Sequence, residues 1–187
     1  MGGRHGRMSA VAALFATTAI LAGGFAASAQ QAPAKLRGPD VIYVPTPPDV
    51  VDAMLVLAGV SAKDVVYDLG SGDGRIPIAA AEKYGARAVG IDINPQRIEE
   101  ANANLAKSKV GDKVKFLNQD LFETDISEAT VVTLYLLQSL NIKLIPKLKA
   151  LKSGTRIVSH SFNMGDEWPP EKTQTVNGKN IYYWTIK

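Results

Sequence analysis

The sequence contains no cysteine among its 187 residues. This absence excludes disulfide bonds and every mechanism that needs a thiol nucleophile. It suits an oxidising compartment without pointing to one. Internal repeats and long low-complexity tracts are also absent, and 46% of the residues are apolar. We therefore expect one domain with an ordinary hydrophobic core.

A strong excess of charge is missing as well. The chain has 21 Lys and Arg residues against 18 Asp and Glu residues, which gives a net charge of +3. Two of the arginines lie in the first thirty residues, which contain no acidic residue, so the remainder carries only +1. Aromatic residues make up 7% of the chain and are not interleaved with a basic stripe. The composition therefore predicts no nucleic-acid partner.

The first 29 residues have the pattern of a secretory signal peptide. Arg4 and Arg7 precede an apolar stretch over residues 11–22, and Ala27-Ser28-Ala29 provides a small-residue cleavage site. We expect cleavage after this site, export of the mature chain to the periplasmic side, and a linker over residues 30–42.

The same stretch could instead remain as a membrane anchor. Residues 9–29 are nearly long enough to cross a bilayer, although Gly23-Gly24 weakens this interpretation. If translation began at Met8, Lys35 and Arg37 would favour an anchored protein with its domain in the cytosol. In this alternative, the protein associates with the membrane through its N-terminal segment.

Beyond the linker, short β-branched segments alternate with helical ones. Five of these segments are typical of strands buried on both faces, and their alternation with helices favours a parallel sheet. Two further segments flank Asn177-Gly178, which predicts a closing antiparallel hairpin. The predicted strands are residues 65–69, 88–92, 114–117, 131–136, 155–159, 171–176 and 180–186.

Local signals mark several helices. Thr46-Pro47-Pro48-Asp49 has the pattern of a capping box and predicts that a helix begins there. Asn94-Pro95 combines an N-cap residue with proline at the first helical position. The leucine-rich residues 140–154 indicate a packed crossover helix that is interrupted by Pro146 and closed by Gly154. We place these elements in a single domain over residues 43–187.

The segment Gly70-Ser71-Gly72-Asp73-Gly74 follows the first predicted strand. Glycines at this edge of a parallel sheet allow positive φ angles and close approach of a ligand to the backbone, although the spacing alone also fits a plain tight turn. Two acids favour a ligand. Asp92 ends the second strand, where a carboxylate can accept both hydroxyls of a ribose, and Asp120 follows the third strand, where it or its neighbours can reach an adenine.

The charges around this loop indicate which adenosine compound binds. A dinucleotide-binding loop usually places its third glycine where this chain has Arg75. Asp68 and Asp73 would repel a pyrophosphate, whereas they suit a ligand with an ammonium and a sulfonium. The sequence therefore predicts S-adenosylmethionine as the cofactor.

These residues resemble the class I, seven-strand S-adenosylmethionine-dependent methyltransferases. Within that class, the strings YVPT, DLGSGDGRI, GIDINP, DLF, LYLL and GTRIVSHSF look like the family of the ATP synthase c-subunit and adenine nucleotide translocase lysine methyltransferases and its short prokaryotic relatives. The resemblance implies a Rossmann-like, doubly wound α/β fold with a mostly parallel seven-strand sheet and an antiparallel C-terminal strand. It also implies a protein lysine as acceptor, and contact of Thr46 with the methionine carboxylate. The predicted cofactor-binding residues are Thr46, Asp68, Gly70, Ser71, Gly72, Asp73, Gly74, Asp92, Asp120 and Leu121.

Tyr135 is the candidate catalytic residue, because it ends the fourth predicted strand. Its ring can lie against a methylated cation and its hydroxyl can orient the acceptor nitrogen, although an ordinary core tyrosine is an equal interpretation. His160 is a candidate general base, but a lone histidine near a strand end is more often a structural hydrogen-bonding residue. Arg75 is expected to pair with a nearby acid.

Further absences narrow the acceptor. The fourth strand ends in LYLL, where the enzymes that methylate the amino groups of DNA adenine and glutamine carry an Asn/Asp-Pro-Pro-Tyr/Phe signature. No cysteine is present to attack a pyrimidine ring. The short chain leaves little insertion for a closed lid, which favours a protein segment with an accessible lysine over a small molecule. A small-molecule methyltransferase and a non-catalytic adenosine-binding module of the same fold are the alternatives, and the sequence predicts no oligomeric state.

Overall fold

Seven strands form one sheet, and five of them run parallel. Their order is β3-β2-β1-β4-β5-β7-β6, with β1 to β5 paired in parallel and β7 antiparallel to both β5 and β6. This confirms the predicted Rossmann-like α/β fold with its antiparallel C-terminal strands. The strands are β1 (Val65–Leu69), β2 (Arg87–Asp92), β3 (Val114–Asn118), β4 (Val131–Leu134), β5 (Arg156–His160), β6 (Lys172–Val176) and β7 (Lys179–Thr185).

The computed structural model describes residues 1–3 and 36–187. Nearly all of the predicted signal peptide and the first part of the predicted linker therefore lie outside the described residues. Within the described part of the chain, none of the helices is both long and apolar enough to span a membrane.

Helices cover both faces of the sheet because every central strand is apolar on both sides. Val66 packs with Met54 and Ala80 on the face of α1 and α2, whereas its neighbours in β1, Val65 and Tyr67, belong to the layer on the face of α4. All five residues of β1 are buried as a result. The helices are α1 (Pro48–Leu57), α2 (Arg75–Tyr84), α3 (Pro95–Leu105) and α4 (Gln138–Lys149), and a 3-10 turn covers Gly165–Glu167.

Three predictions about individual elements need correction: the end of β4, the cap of α1 and the course of α4. The fourth strand, β4, ends at Leu134 rather than at residue 136, so Tyr135 lies in the turn that follows. The capping box is wrong, because Pro47 occupies the N-cap position of α1 without a side-chain hydrogen bond and the Thr46 hydroxyl bonds elsewhere. The proline at 146 does not interrupt α4, which continues to Lys149 and has Ala150 rather than Gly154 as its C-cap residue. Pro146 removes one backbone hydrogen bond of the helix, and burial of Leu144 and Leu148 offsets this loss.

The N-terminus of α3 is as predicted. The Asn94 side chain accepts a hydrogen bond from the Gln96 N–H at 2.9 Å, and Pro95 takes the first helical position. This cap fixes the start of α3 directly after the end of β2.

The carboxyl ends of the parallel strands β1, β2, β3 and β4 meet at one edge of the sheet. The strand order reverses between β1 and β4. A crevice that can hold a ligand is expected at such a point.

Candidate functional site

A cavity of about 540 Å³ lies at the carboxyl ends of β1, β2, β3 and β4. Its volume falls within the range of small-molecule sites. Eight of the ten predicted cofactor-binding residues line it, together with Tyr135, whereas Gly72 and Gly74 do not. The eight are Thr46, Asp68, Gly70, Ser71, Asp73, Asp92, Asp120 and Leu121.

The two glycines that do not line the cavity shape the loop that does. The Gly72 N–H donates to Asp92 Oδ2 at 2.9 Å, and Gly74 is the N-cap residue of α2. Gly70 faces the cavity with a φ of +85°, and a Cβ there would lie 2.9 Å from the Leu136 side chain. A side chain at position 70 would therefore meet both backbone strain and a clash.

The Ser71 hydroxyl is buried against β2, where a Cβ at Gly90 would lie 2.7 Å from its oxygen. This Oγ has no hydrogen-bond partner among the described residues, although the residue lines the cavity. Buried hydroxyls in folded proteins nearly always have a partner. Within residues 36–187, by contrast, the Ser71 hydroxyl is an unpartnered group inside the glycine loop, and the contribution of Ser71 to the cavity comes from the rest of the residue.

Asp68 is a buried acid at the end of β1. Its side chain accepts a hydrogen bond from the Thr133 hydroxyl at 2.7 Å, and the residue is 3% exposed. Burial raises the pKa of the Asp68 carboxyl to about 7; the nearby Asp92 and Asp73 act in the same direction, and the bond from Thr133 opposes them. Ionisation of the buried Asp68 carboxyl therefore lowers the stability of the folded chain near neutral pH.

This effect predicts a pH-dependent gain in stability for Asp68→Asn. The carboxyl of Asp68 has a higher pKa in the folded chain than in the unfolded one, so its contribution to stability is full below pH 3.8 and is lost as the pH rises through about 7. Asparagine stays neutral throughout. We expect urea unfolding to give matching stabilities for the two proteins at pH 4 and a more stable variant, by a few kcal/mol, at pH 8. A stability difference that does not change with pH would contradict the assignment.

Asp92 is held by two backbone donors. Its Oδ2 accepts from the Gly72 N–H and its Oδ1 accepts from the Asn94 N–H, each at 2.9 Å. Each carboxylate oxygen can accept more than one hydrogen bond, so both keep capacity for a ligand in the cavity. The prediction that Asp92 binds a ribose is compatible with this geometry and stays a prediction.

Asp120 pairs with Arg37, which lies in the segment that we predicted to be a linker. Arg37 Nε lies 2.7 Å from Asp120 Oδ2, and the Phe122 N–H donates to Oδ1 at 2.9 Å. Burial opposes ionisation of this carboxyl, but the hydrogen bonds from Arg37 and Phe122 outweigh it, so the pKa of Asp120 lies below its usual value. Asp120 thus lines the cavity while its charge is neutralised, and Leu121 beside it offers an apolar surface.

Residues 37–46, which we call the leading segment, form a wall of the cavity. The Tyr43 ring lies against Gly72, and the guanidinium of Arg97 stacks 4.7 Å from the centre of that ring. Arg75 donates to the Thr46 carbonyl at 2.9 Å and pairs with Asp73 at 2.7 Å, which confirms the expected acidic partner of Arg75. The site therefore begins before residue 43.

The ion pairs leave an uneven charge in the cavity. Asp73 is neutralised by Arg75 and Asp120 by Arg37, whereas Asp68 and Asp92 have no ion-pair partner within residues 36–187. Asp92, together with Asp68 in its ionised form, makes the cavity favourable for a cation. A cationic adenosine compound fits these carboxylates and the backbone at Gly70, where a Cβ would clash, and the residues present therefore suit S-adenosylmethionine.

Tyr135 lies at the cavity and His160 lies behind it. The two ring centres are 3.9 Å apart, and Tyr135 lines the cavity, whereas His160 is 1% exposed and does not. The Thr46 Oγ1 and His160 Nδ1 atoms are 3.3 Å apart. Because His160 cannot touch an acceptor in the cavity, its interpretation as a structural hydrogen-bonding residue is the better one.

Comparison with known families matches residues 68–172 to the ANTKMT methyltransferase domain. A protein-lysine N-methyltransferase of Saccharolobus islandicus (strain REY15A) is 50% identical over 145 residues, which cover 76% of this chain and 89% of that protein. The ATP synthase c-subunit lysine N-methyltransferase of Caenorhabditis elegans is 30% identical over 111 residues, or 58% of each chain.

Solved structures agree on the fold. A protein of Salinibacter ruber, described as an RNA methyltransferase in complex with S-adenosyl-L-homocysteine, has a TM-score of 0.75 and 56% identity over 76% of this chain and 94% of that one. A methyltransferase of Thiobacillus denitrificans, also with S-adenosyl-L-homocysteine, has a TM-score of 0.57 at 23% identity and supports the fold alone.

Proposed function

Because the chain belongs to the ANTKMT methyltransferase domain family and is an S-adenosylmethionine-dependent methyltransferase, we propose that its acceptor is the side-chain amine of a protein lysine. The observation that carries the proposal is the 50% identity with a protein-lysine N-methyltransferase along 89% of that protein. The ATP synthase c-subunit lysine methyltransferases support the same acceptor class over a shorter match. The non-catalytic alternative has no comparable support.

The cavity residues divide the work of holding the cofactor. S-adenosylmethionine supplies a methyl group on a sulfonium: a neutral nitrogen attacks the methyl carbon in line, and the sulfur leaves as the thioether of S-adenosylhomocysteine. We assign Asp92 to the ribose hydroxyls, and Leu121 and Asp120 to the adenine side. The backbone around Gly70 and the Thr46 hydroxyl then serve the methionine end.

Tyr135 is assigned to the acceptor. A lysine amine has a pKa of about 10.4 in water, so it must lose its proton before the nitrogen can attack. Desolvation of the amine beside the positively charged sulfonium lowers its pKa, and its proton is released to solvent before the nitrogen attacks. The Tyr135 hydroxyl can then accept a hydrogen bond from the neutral amine and orient its lone pair.

RNA is the second candidate acceptor. The observation that favours it is the description of the Salinibacter ruber protein, 56% identical to this chain, as an RNA methyltransferase. The near-balance of basic and acidic residues does not favour it, because nucleic-acid binding draws most of its affinity from positive charge. The two acceptors differ chemically, so one labelling experiment separates them.

The test is incubation of the purified protein with methyl-labelled S-adenosylmethionine and an extract. Label that is removed by protease and recovered as methyl-lysine after acid hydrolysis is the expected result, and Asp92→Ala should abolish it. Label that is removed by nuclease and withstands protease would replace the lysine proposal with RNA. Label in neither fraction but in small molecules would favour the small-molecule alternative.

We also propose that the first 29 residues direct export and are removed. The support is the pattern of basic residues, apolar stretch and Ala27-Ser28-Ala29 in the sequence. Mass spectrometry of the full-length protein, expressed in a bacterial host and fractionated, is expected to find a periplasmic chain that begins at Gln30. A membrane-bound chain that retains its N-terminus would instead support the anchored arrangement.

A further inference from the structure

A small cluster of two buried residues and one half-buried residue connects the leading segment to the ends of β4 and β5. Its members are Thr46, His160 and Tyr135, which lie in three separate parts of the chain. The His160 ring contacts both of the others, with 3.3 Å between Nδ1 and the Thr46 Oγ1 and 3.9 Å between the ring centres of His160 and Tyr135. Thr46 and Tyr135 line the cavity and His160 does not. The histidine therefore joins two cavity residues from behind.

The turn after β5 holds His160 in place. Ser161 has a φ of +62°, an unfavourable conformation for serine. The carbonyl of Phe162 accepts from the Ser159 hydroxyl at 2.6 Å and from the Asn141 side chain at 3.0 Å. Buried polar side chains thus stabilise a strained turn directly beside the histidine. Strain retained in this way fixes the orientation of the residues next to it.

The hydrogen-bonding state of the imidazole follows from its surroundings. Burial lowers the pKa of His160 to about 4, with a further contribution from Lys179, so the ring is neutral at pH 7. A neutral ring carries one N–H and one lone pair. His160 Nε2 is buried and has no partner among the described residues. Since an orphaned buried acceptor costs less than an orphaned buried N–H, the proton belongs on Nδ1 and is donated to Thr46.

We propose that His160 is a positioning residue for both ends of the methyl-transfer site. Its Nδ1–H donates to the Thr46 oxygen and so leaves the threonine hydroxyl proton free to donate into the cavity, towards the cofactor carboxylate. Its ring fixes the plane of Tyr135, which faces the acceptor. The second part rests on the proposed function of Tyr135, whereas the first part concerns cofactor binding alone.

Two variants separate the hydrogen bond from the ring. His160→Phe keeps an aromatic ring beside Tyr135 and loses the bond to Thr46, whereas His160→Asn keeps a donor near the position of Nδ1 and loses the ring. In calorimetric titration with S-adenosylhomocysteine, His160→Phe is expected to bind about 10-fold more weakly and His160→Asn to recover affinity to within about 3-fold of the parent. Thermal melts establish that each variant is folded. Parental affinity in folded His160→Phe, or equal losses in both variants, would overturn the first part.

A double-mutant cycle tests whether the effect passes through Thr46. Thr46→Val removes the hydroxyl but keeps the shape of the side chain, and it is expected to weaken S-adenosylhomocysteine binding by itself. If His160 acts on the cofactor through that hydroxyl, adding His160→Phe to Thr46→Val should cause no further loss. Fully additive losses would show that His160 stabilises the site by another route and would overturn the proposal.

Turnover tests the contact with Tyr135. Once a methylated acceptor is identified, His160→Asn is expected to lower kcat about 10-fold with little change in KM for the cofactor, because the ring that fixes Tyr135 is gone. An unchanged kcat would overturn this part. Failure to methylate any lysine, with the affinity pattern of the two variants intact, would instead count against the proposed acceptor and leave the assignment of His160 to Thr46 standing.

Discussion

Alanine at position 92 is expected to weaken S-adenosylhomocysteine binding by about 100-fold while the chain remains folded. Asp92 accepts hydrogen bonds from two backbone N–H groups. Unlike Asp73 and Asp120, it has no ion-pair partner within residues 36–187. The substitution removes hydrogen bonds between a charged group and the ribose hydroxyls, each of which contributes about 1.5–3 kcal/mol. It also releases the Gly72 N–H, which loosens the glycine loop. Calorimetric titration of the purified protein measures the loss.

Two further variants make this result specific to Asp92. Asp92→Asn keeps the shape of the side chain and one acceptor oxygen, so we expect a smaller loss than for alanine. Asp112→Ala removes an exposed acid that does not line the cavity and should leave the affinity unchanged. Unchanged affinity in a folded Asp92→Ala protein would overturn the assignment of Asp92 to the ribose.

Asp68 and Asp92 could be predicted from the sequence because their positions follow from topology. Parallel strands end at the same edge of a sheet, so residues at the ends of β1 and β2 must lie close together once the strands are recognised. The glycine loop follows for the same reason. The alternation of β-branched segments and helices was sufficient to predict the sheet, because both faces of its central strands are apolar.

The contacts of the leading segment could not be predicted in this way. Arg37 pairs with Asp120 across 83 residues, and Thr46 meets His160 across 114 residues. An irregular segment has no period that indicates which side it packs on, and an arginine near proline is typical of a solvated linker. The pairing at Thr46 also explains why the capping-box prediction was wrong: the hydroxyl bonds to a distant histidine rather than to the first turn of α1.

Phenylalanine at position 135 is expected to lower kcat by about 30-fold or more while changing the affinity for S-adenosylhomocysteine by less than about 2-fold. The hydroxyl of Tyr135 is assigned to the acceptor nitrogen, and misorienting a nucleophile slows the reaction without weakening the cofactor complex. The ring is retained, so its contacts with His160 and Phe162 stay in place. Steady-state turnover on the methylated acceptor, with titration of the cofactor product, measures both quantities.

Tyr84→Phe is the matched control, since Tyr84 lies at the end of α2 away from the cavity and should lose no activity. Tyr135→Leu extends the test, because it removes the ring as well as the hydroxyl. The ring can also contact the lysine amine while that amine is still protonated. In that case, Tyr135→Leu should raise KM for the acceptor above the value for Tyr135→Phe. The opposite pattern in Tyr135→Phe, with lost cofactor affinity and intact kcat, would place Tyr135 on the cofactor side of the cavity.

The effect of Tyr135→Phe should also depend on His160. Because β4 ends at Leu134, the side chain at position 135 is set by the turn and by His160 rather than by the sheet. The loss of kcat in Tyr135→Phe should therefore shrink when His160→Asn is already present, since a tyrosine that is no longer held in place has less of its contribution left to lose. Equal losses in the two backgrounds would mean that the turn alone orients Tyr135.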